Sequence, residues 1–200
     1  MEKSISAKTI AIFGVLFALV IVLQALGGSF SIGLITLNFS LIPIVLGAIM
    51  FGFIGGAALG FANGVVVLIQ VISTPSGFYG IIWTYSPIVT TLICLLKTTI
   101  AGGVAGFIFS LINTKGNNLV AVFVASGIVP VINTSLFIVG CLFMQDSIVR
   151  YQELLGTYEG LNVLVFVLVA LVTFNFFIEL AINLIVAPSL SRVLKYIKID

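Results

Sequence analysis

The stretch LIPIVLGAIMFGFIGGAALGF, residues 41–61, carries no charge and is apolar apart from its glycines and one proline. Gly52, Gly55 and Gly56 mark a very tight turn or a kink between two apolar helices. A helix that is apolar all round has no face to offer water, so the solvent of this stretch is lipid or protein interior. Composition favours lipid. The chain has 200 residues, 61% of them hydrophobic and 7% charged, where a soluble domain carries roughly 25% charged residues. So few charges cannot coat a water-soluble globule of this size. About 20 apolar residues cross a bilayer, and the chain has room for about six such helices with short loops. The expected fold is therefore all-α and integral to the membrane, one transmembrane domain over 1–200, with no room for a second, soluble domain.

Working outward from the quoted stretch, the preceding helix is predicted over 7–26, followed by a Gly/Ser-rich break at 27–33. The charged N-terminus leads into a long apolar run, which reads as a first transmembrane helix rather than a cleaved signal. The second helix is predicted over 38–52 and the third from the glycine turn to 72. Residues 73–87 hold Pro75, Gly77, Gly80 and Pro87 and read as a loop or broken helix. A fourth helix is predicted over 87–112, a polar turn over 113–118 and a fifth helix over 119–144. Residues 145–160 are the most polar part of the chain. A sixth helix is predicted over 161–187, with Pro188 opening a basic tail. The N-terminus-inside arrangement puts Lys3, Lys8, Lys115, Arg192, Lys195 and Lys198 on the cytoplasmic side and leaves Arg150 outside. Cations collect inside, so both termini are expected in the cytoplasm.

Several functions are excluded by what the chain lacks. It has no histidine, hence no Ser–His pair and no H-E-x-x-H zinc motif. There is no G-x-x-x-x-G-K-[ST] phosphate loop, and no basic patch with interleaved aromatics of the kind that binds nucleic acid. Cys94 and Cys141 both lie in apolar runs and do not suggest a disulfide framework. No enzyme and no cofactor is expected.

Two features remain. Ala7, Ala11, Gly14 and Ala18 share one face of the first helix, and small-residue stripes in lipid mark close helix contacts. The stripe serves either packing within the chain or docking of another membrane protein. Gly52, Gly56, Gly60 and Gly64 at strict four-residue spacing, and Ala101, Gly102, Ala105 and Gly106, are expected to pack internally. The second feature is polar. A charge near the bilayer centre costs roughly 2.5–3.5 kcal/mol on insertion scales, yet Lys97 and Glu179 lie inside predicted helices. They either pair with one another to fix helix packing or face a substrate cavity. Candidate cavity neighbours are Asn63, Gln70, Thr90, Cys94, Asn133, Thr134, Asn175 and Asn183, with Trp83, Tyr85 and Ser86 at the mouth. A lysine with amide and hydroxyl groups suits a small anionic or strongly hydrogen-bonding solute. Trp83 and Tyr85 could equally anchor the membrane interface.

The size, the six expected helices, the Ala7-Lys-Thr-Ile-Ala11 stripe and the passage from Leu41 to Phe61 together resemble the substrate-binding S components of energy-coupling factor (ECF) transporters. The resemblance covers the whole chain. It implies a vitamin importer subunit of the bacterial cell membrane whose Ala7 and Ala11, extended by Gly14 and Ala18, dock on a transmembrane T component. Two partner ATPase subunits would supply energy. It implies a ligand site near the external side, under the loops joining helices 1–2, 3–4 and 5–6. The runs SPIVTTLICLLKTTIAGGVAGFIFSLI, INTSLFIVGCLF and FNFFIELAINLIVAP look most like the pantothenate-type branch. There Lys97, Asn133 with Thr134, and Glu179 would meet the vitamin, Lys97 standing where an arginine is expected. Riboflavin or another vitamin is the alternative within the family. A stand-alone secondary transporter or channel, and a non-transporting scaffold, are the alternatives outside it.

Overall fold

A computed structural model of the chain describes residues 6–27, 31–32, 35–74, 76–113 and 118–196, with the backbone alone described at 31, 32, 35, 36 and 195. The expected cytoplasmic cations Lys3, Lys115 and Lys198 lie outside the described residues, as do Pro75, residues 114–117 of the polar turn and most of the Gly/Ser-rich break. Helix α1 is Ala7–Gly27. A small antiparallel hairpin, β1 Ser31–Ile32 and β2 Ile35–Thr36, leads to α2, Leu41–Ser73. Then come α3 Gly77–Tyr85, α4 Pro87–Asn113, α5 Asn118–Phe143 and α6 Gln145–Leu155. The last rod is α7 Val163–Phe166, a π-helical turn Val167–Val172 and α8 Thr173–Tyr196.

Among the described residues, five helices are long and apolar enough to cross a membrane. The sixth expected crossing, predicted over 38–52, falls within α2, which the glycine turn divides. Gly52 sits at φ 68°, ψ −155°, a conformation that a side chain would strain. There α2 folds back on itself: Gly47 lies against Leu59 and Gly55, and Ala48 against Gly56. The arm 53–73 is long enough to cross. The arm 41–51 has eleven residues, about 16 Å at 1.5 Å per residue, roughly half of a 30 Å hydrocarbon core.

The glycine stripes make the centre of the bundle. A side chain at Gly56 would collide with the Gly102 carbonyl, one at Gly60 with the Thr98 backbone, one at Gly64 with Cys94, and one at Gly106 with Gly52. Each step of four forward on α2 is a step of four back on α4, so the two run antiparallel at near backbone contact. The Thr98 hydroxyl donates to the Gly60 carbonyl at 2.7 Å. Ile93 faces Gly140, and Gly127 faces Leu180 and Leu184, which sets α5 antiparallel to α4 and α8 antiparallel to α5. The Phe13 and Phe51 rings meet edge to face at 5.5 Å, while Gln24 meets Gln70. The Ala7 end of α1, the Gly52 turn and the Tyr196 end of α8 therefore share one end of the bundle. The hairpin, α3 and α6 occupy the other.

Two expectations are corrected. The final helix does not stop at Ala187 but runs through Pro188 to Tyr196, because a proline removes one hydrogen bond without preventing a helix that packing holds on both sides. Residues 145–160, expected only as a polar stretch between two helices, include helix α6, which buries Ser147, Ile148, Tyr151 and Gln152 on one face.

Candidate binding cavity

The polar residues of the spans converge. Thr90 and Lys97 from α4, Asn133 and Thr134 from α5, and Asn175 and Glu179 from α8 all line one cavity, at the end of the bundle that carries α3 and α6. Its empty space, open mouth included, is ≈ 800 Å³. Gln24 and Asn38 add polar groups, and Phe78, Tyr79, Phe137 and Phe176 form an aromatic wall.

The π turn sets the polar face of the last helix. Phe166 and Val167 are fully buried, with Phe166 packed on Tyr158 at 5.2 Å and Tyr151 at 6.3 Å between ring centres. In an unbroken α-helix Val167 and Glu179 would point roughly 120° apart. The one residue that a π turn absorbs reduces this to about 20°. The apolar packing face and the Asn175–Glu179 face thereby share the inward side.

The two ionisable groups do not pair. The Glu179 carboxylate accepts from the Asn38 backbone N–H at 2.8 Å. The Lys97 ammonium stands 5.7 Å from the centre of the Phe137 ring, a cation–π distance. Among the described contacts there is no ion pair between them. The amides nearby are unsatisfied: Asn133 Oδ1 and both polar atoms of Asn175 are buried without a hydrogen-bond partner among the described residues. Buried polar groups nearly always have partners, so these atoms stand out among the described residues of the wall.

Six of the candidate residues stand elsewhere. Asn63 is buried in contact with the Ser40 hydroxyl. Gln70 supports a cavity residue, since it accepts from Gln24 Nε2 at 2.9 Å and donates to the Gln24 carbonyl at 3.1 Å. Trp83 packs on Val67, Val71 and Cys94. Tyr85 is exposed beneath the Arg150 guanidinium, 4.4 Å from its ring. Ser86 bonds Ser147 at 2.7 Å. Asn183 lies one turn beyond Glu179 and donates to its carbonyl at 2.8 Å. Gln24 carried a signal that sequence reasoning passed over: it is a lone amide in an otherwise apolar stretch of α1, and such residues in lipid face the protein interior. Asn38 and the aromatic wall carried none.

The stripe on α1 is exposed. Ala7, Ala11, Gly14 and Ala18 all face outward, while Leu16, Val20 and Gln24 are buried. A side chain added at Gly14 would meet nothing within 4 Å.

A cavity carrying polar groups and walled by membrane-spanning helices is the geometry of a membrane-embedded small-molecule site. The family described as "ECF transporter, substrate-specific component" matches residues 8–191. The chain belongs to that family, and so is a multi-pass substrate-binding subunit of a transporter rather than an enzyme. No curated protein matches the chain.

Proposed function

We propose that the chain is the high-affinity capture subunit of an ATP-driven importer for a water-soluble vitamin, pantothenate above others. The observation that carries the reading is the cavity wall: the unpaired Lys97 ammonium stands in the same pocket as the unsatisfied amides of Asn133 and Asn175. A carboxylate would take the lysine as a one-point contact, since Lys lacks the planar fork of Arg. The amides would take the hydroxyl and amide groups of the vitamin. In this reading the protein sits in the bacterial cell membrane with six passes, the arm 41–51 and the segment before it counting as one, and with both termini in the cytoplasm. Ala7, Ala11, Gly14 and Ala18 dock on the transmembrane T component, and two ATPase subunits complete the importer.

A second reading, riboflavin, is favoured by the aromatic wall of Phe78, Tyr79, Phe137 and Phe176, which suits a flat ring. Mass spectrometry of ligand released from the purified protein, followed by titration against a vitamin panel, separates the two. Submicromolar binding of pantothenate is expected. Failure to bind any vitamin at that affinity would overturn the reading, and solute uptake by liposomes holding this chain alone would point to a stand-alone transporter.

A further inference from the structure

The cavity wall has a direction. Lys97 projects from α4 and can only donate hydrogen bonds. Glu179 projects from α8 and, when ionised, can only accept. Both line the cavity, yet each is held by a third party: Lys97 by the Phe137 ring at 5.7 Å, Glu179 by the Asn38 N–H at 2.8 Å through Oε1. No described hydrogen bond engages the second carboxylate oxygen. One turn before Glu179 on α8, Asn175 Oδ1 and Nδ2 are also without partners among the described residues, as is Asn133 Oδ1 on α5. The α4 wall of the pocket thus offers a cation, and the α8 wall holds a carboxylate and an amide whose free atoms nothing among the described residues satisfies. Leaving buried acceptors unpaired is costly, and a buried charge is costlier, so the arrangement is explained by a ligand that arrives with matching groups.

Resting on the reading above, the geometry points to a ligand bound with a fixed polarity: its anionic group at Lys97, and hydrogen-bond donors, hydroxyl or ammonium, at Glu179. Glu179 is then a specificity-determining residue that selects for donors at the far end of the anion. A purely structural role for Glu179 would end at the Asn38 N–H, and a glutamine carbonyl would serve that bond equally well.

The test crosses two variants with three probes, using the full chain in lipid nanodiscs and calorimetric titration. The variants are Lys97→Gln and Glu179→Gln. The probes are pantothenate, its neutral alcohol analogue panthenol, and the small zwitterion β-alanine. Each variant is expected to weaken pantothenate by about tenfold or more, the size of one charge-assisted hydrogen bond. Panthenol should be indifferent to Lys97→Gln and still weakened by Glu179→Gln. If Glu179→Gln binds both as the parent does, or if Lys97→Gln weakens panthenol as much as pantothenate, the inference is wrong. Tighter binding of β-alanine than of pantothenate, lost in Glu179→Gln, would support the inference with ammonium as the donor. If the parent chain binds none of the three, the pantothenate reading fails on its own. The inference is then decided by the ligand that mass spectrometry recovers: it stands if that ligand carries both groups and is depleted from both variants. It falls if recovery from Glu179→Gln is unchanged or no ligand is recovered.

Discussion

At the residue scale, this chain places unsatisfied polar atoms where stability alone would not. Asn175 has both amide atoms buried without partners among the described residues, so the folded protein carries their desolvation cost, about 1–3 kcal/mol for each such group. Asn175→Leu should therefore leave the melting temperature in detergent unchanged or higher, while stabilisation by added ligand disappears. A fall in the ligand-free melting temperature would show that the amide has a structural partner instead. The glycines separate along the same line. Gly56 faces the Gly102 carbonyl, backbone against backbone, whereas Gly14 faces open space. Gly56→Ala should destabilise by about 1–3 kcal/mol through overpacking. Gly14→Ala should be neutral or gain up to about 1 kcal/mol from helix propensity. Thermal unfolding of the two purified variants checks the contrast. Residues of this kind were legible in the sequence because lipid makes them expensive: Lys97, Asn133, Asn175 and Glu179 could be found from their cost alone. Trp83 and Tyr85 were misleading for the opposite reason. An aromatic at a membrane end costs little wherever it points, and here one packs on Val67 and Val71 and the other lies under Arg150.

At the scale of elements, α1 divides its work between two faces. Its buried face reaches the cavity through Gln24, and its small-residue face is open. Ala11→Trp should abolish co-purification with a co-expressed T component while ligand titrations stay as in the parent. A complex that survives the tryptophan would remove the stripe from the interface. The last helix makes a sharper prediction. Because the π turn already holds one surplus residue, deleting Ala170 should convert it to α-helix and leave Asn175 and Glu179 inward, with size-exclusion profile and melting temperature close to the parent. Deleting Ile185, where there is no slack, turns the remainder of α8 by about 100° and should yield aggregate. Equal damage from both deletions would show that the π turn is not what aligns the two faces. None of this was visible in the sequence, since a π turn changes the side-chain period by a single residue in an apolar run. Helix α3 was obscured by its flanking proline and glycines, and α6 by its polarity. The glycine stripes, by contrast, announced close internal packing, though not which helix each would meet, because four-residue spacing has few uses in lipid other than close approach.

At the scale of the whole molecule, both described ends of the chain lie at the end of the bundle opposite the cavity. If that end faces the cytoplasm, a membrane-impermeant thiol reagent applied to intact cells should label Glu153→Cys on exposed α6, and should label Arg192→Cys only after permeabilisation. The native thiols are both buried and add little background. The reverse pattern would invert the protein in the membrane and put its cavity on the wrong side for import. The cations predicted both ends on one side, but the sequence could not announce the short arm before Gly52, because hydropathy reports how apolar a segment is and not how far it travels. That arm has a consequence for biogenesis. Eleven residues are too few to be held by the insertion machinery as a stop in their own right. Residues 41–73 must then enter the bilayer together as a preformed hairpin, and the hydrophilic segment around Asn38 and Ser40 can be drawn below the surface only once the longer arm is in place. Synthesis of this protein should accordingly pause, topologically, until the chain has emerged past Ser73.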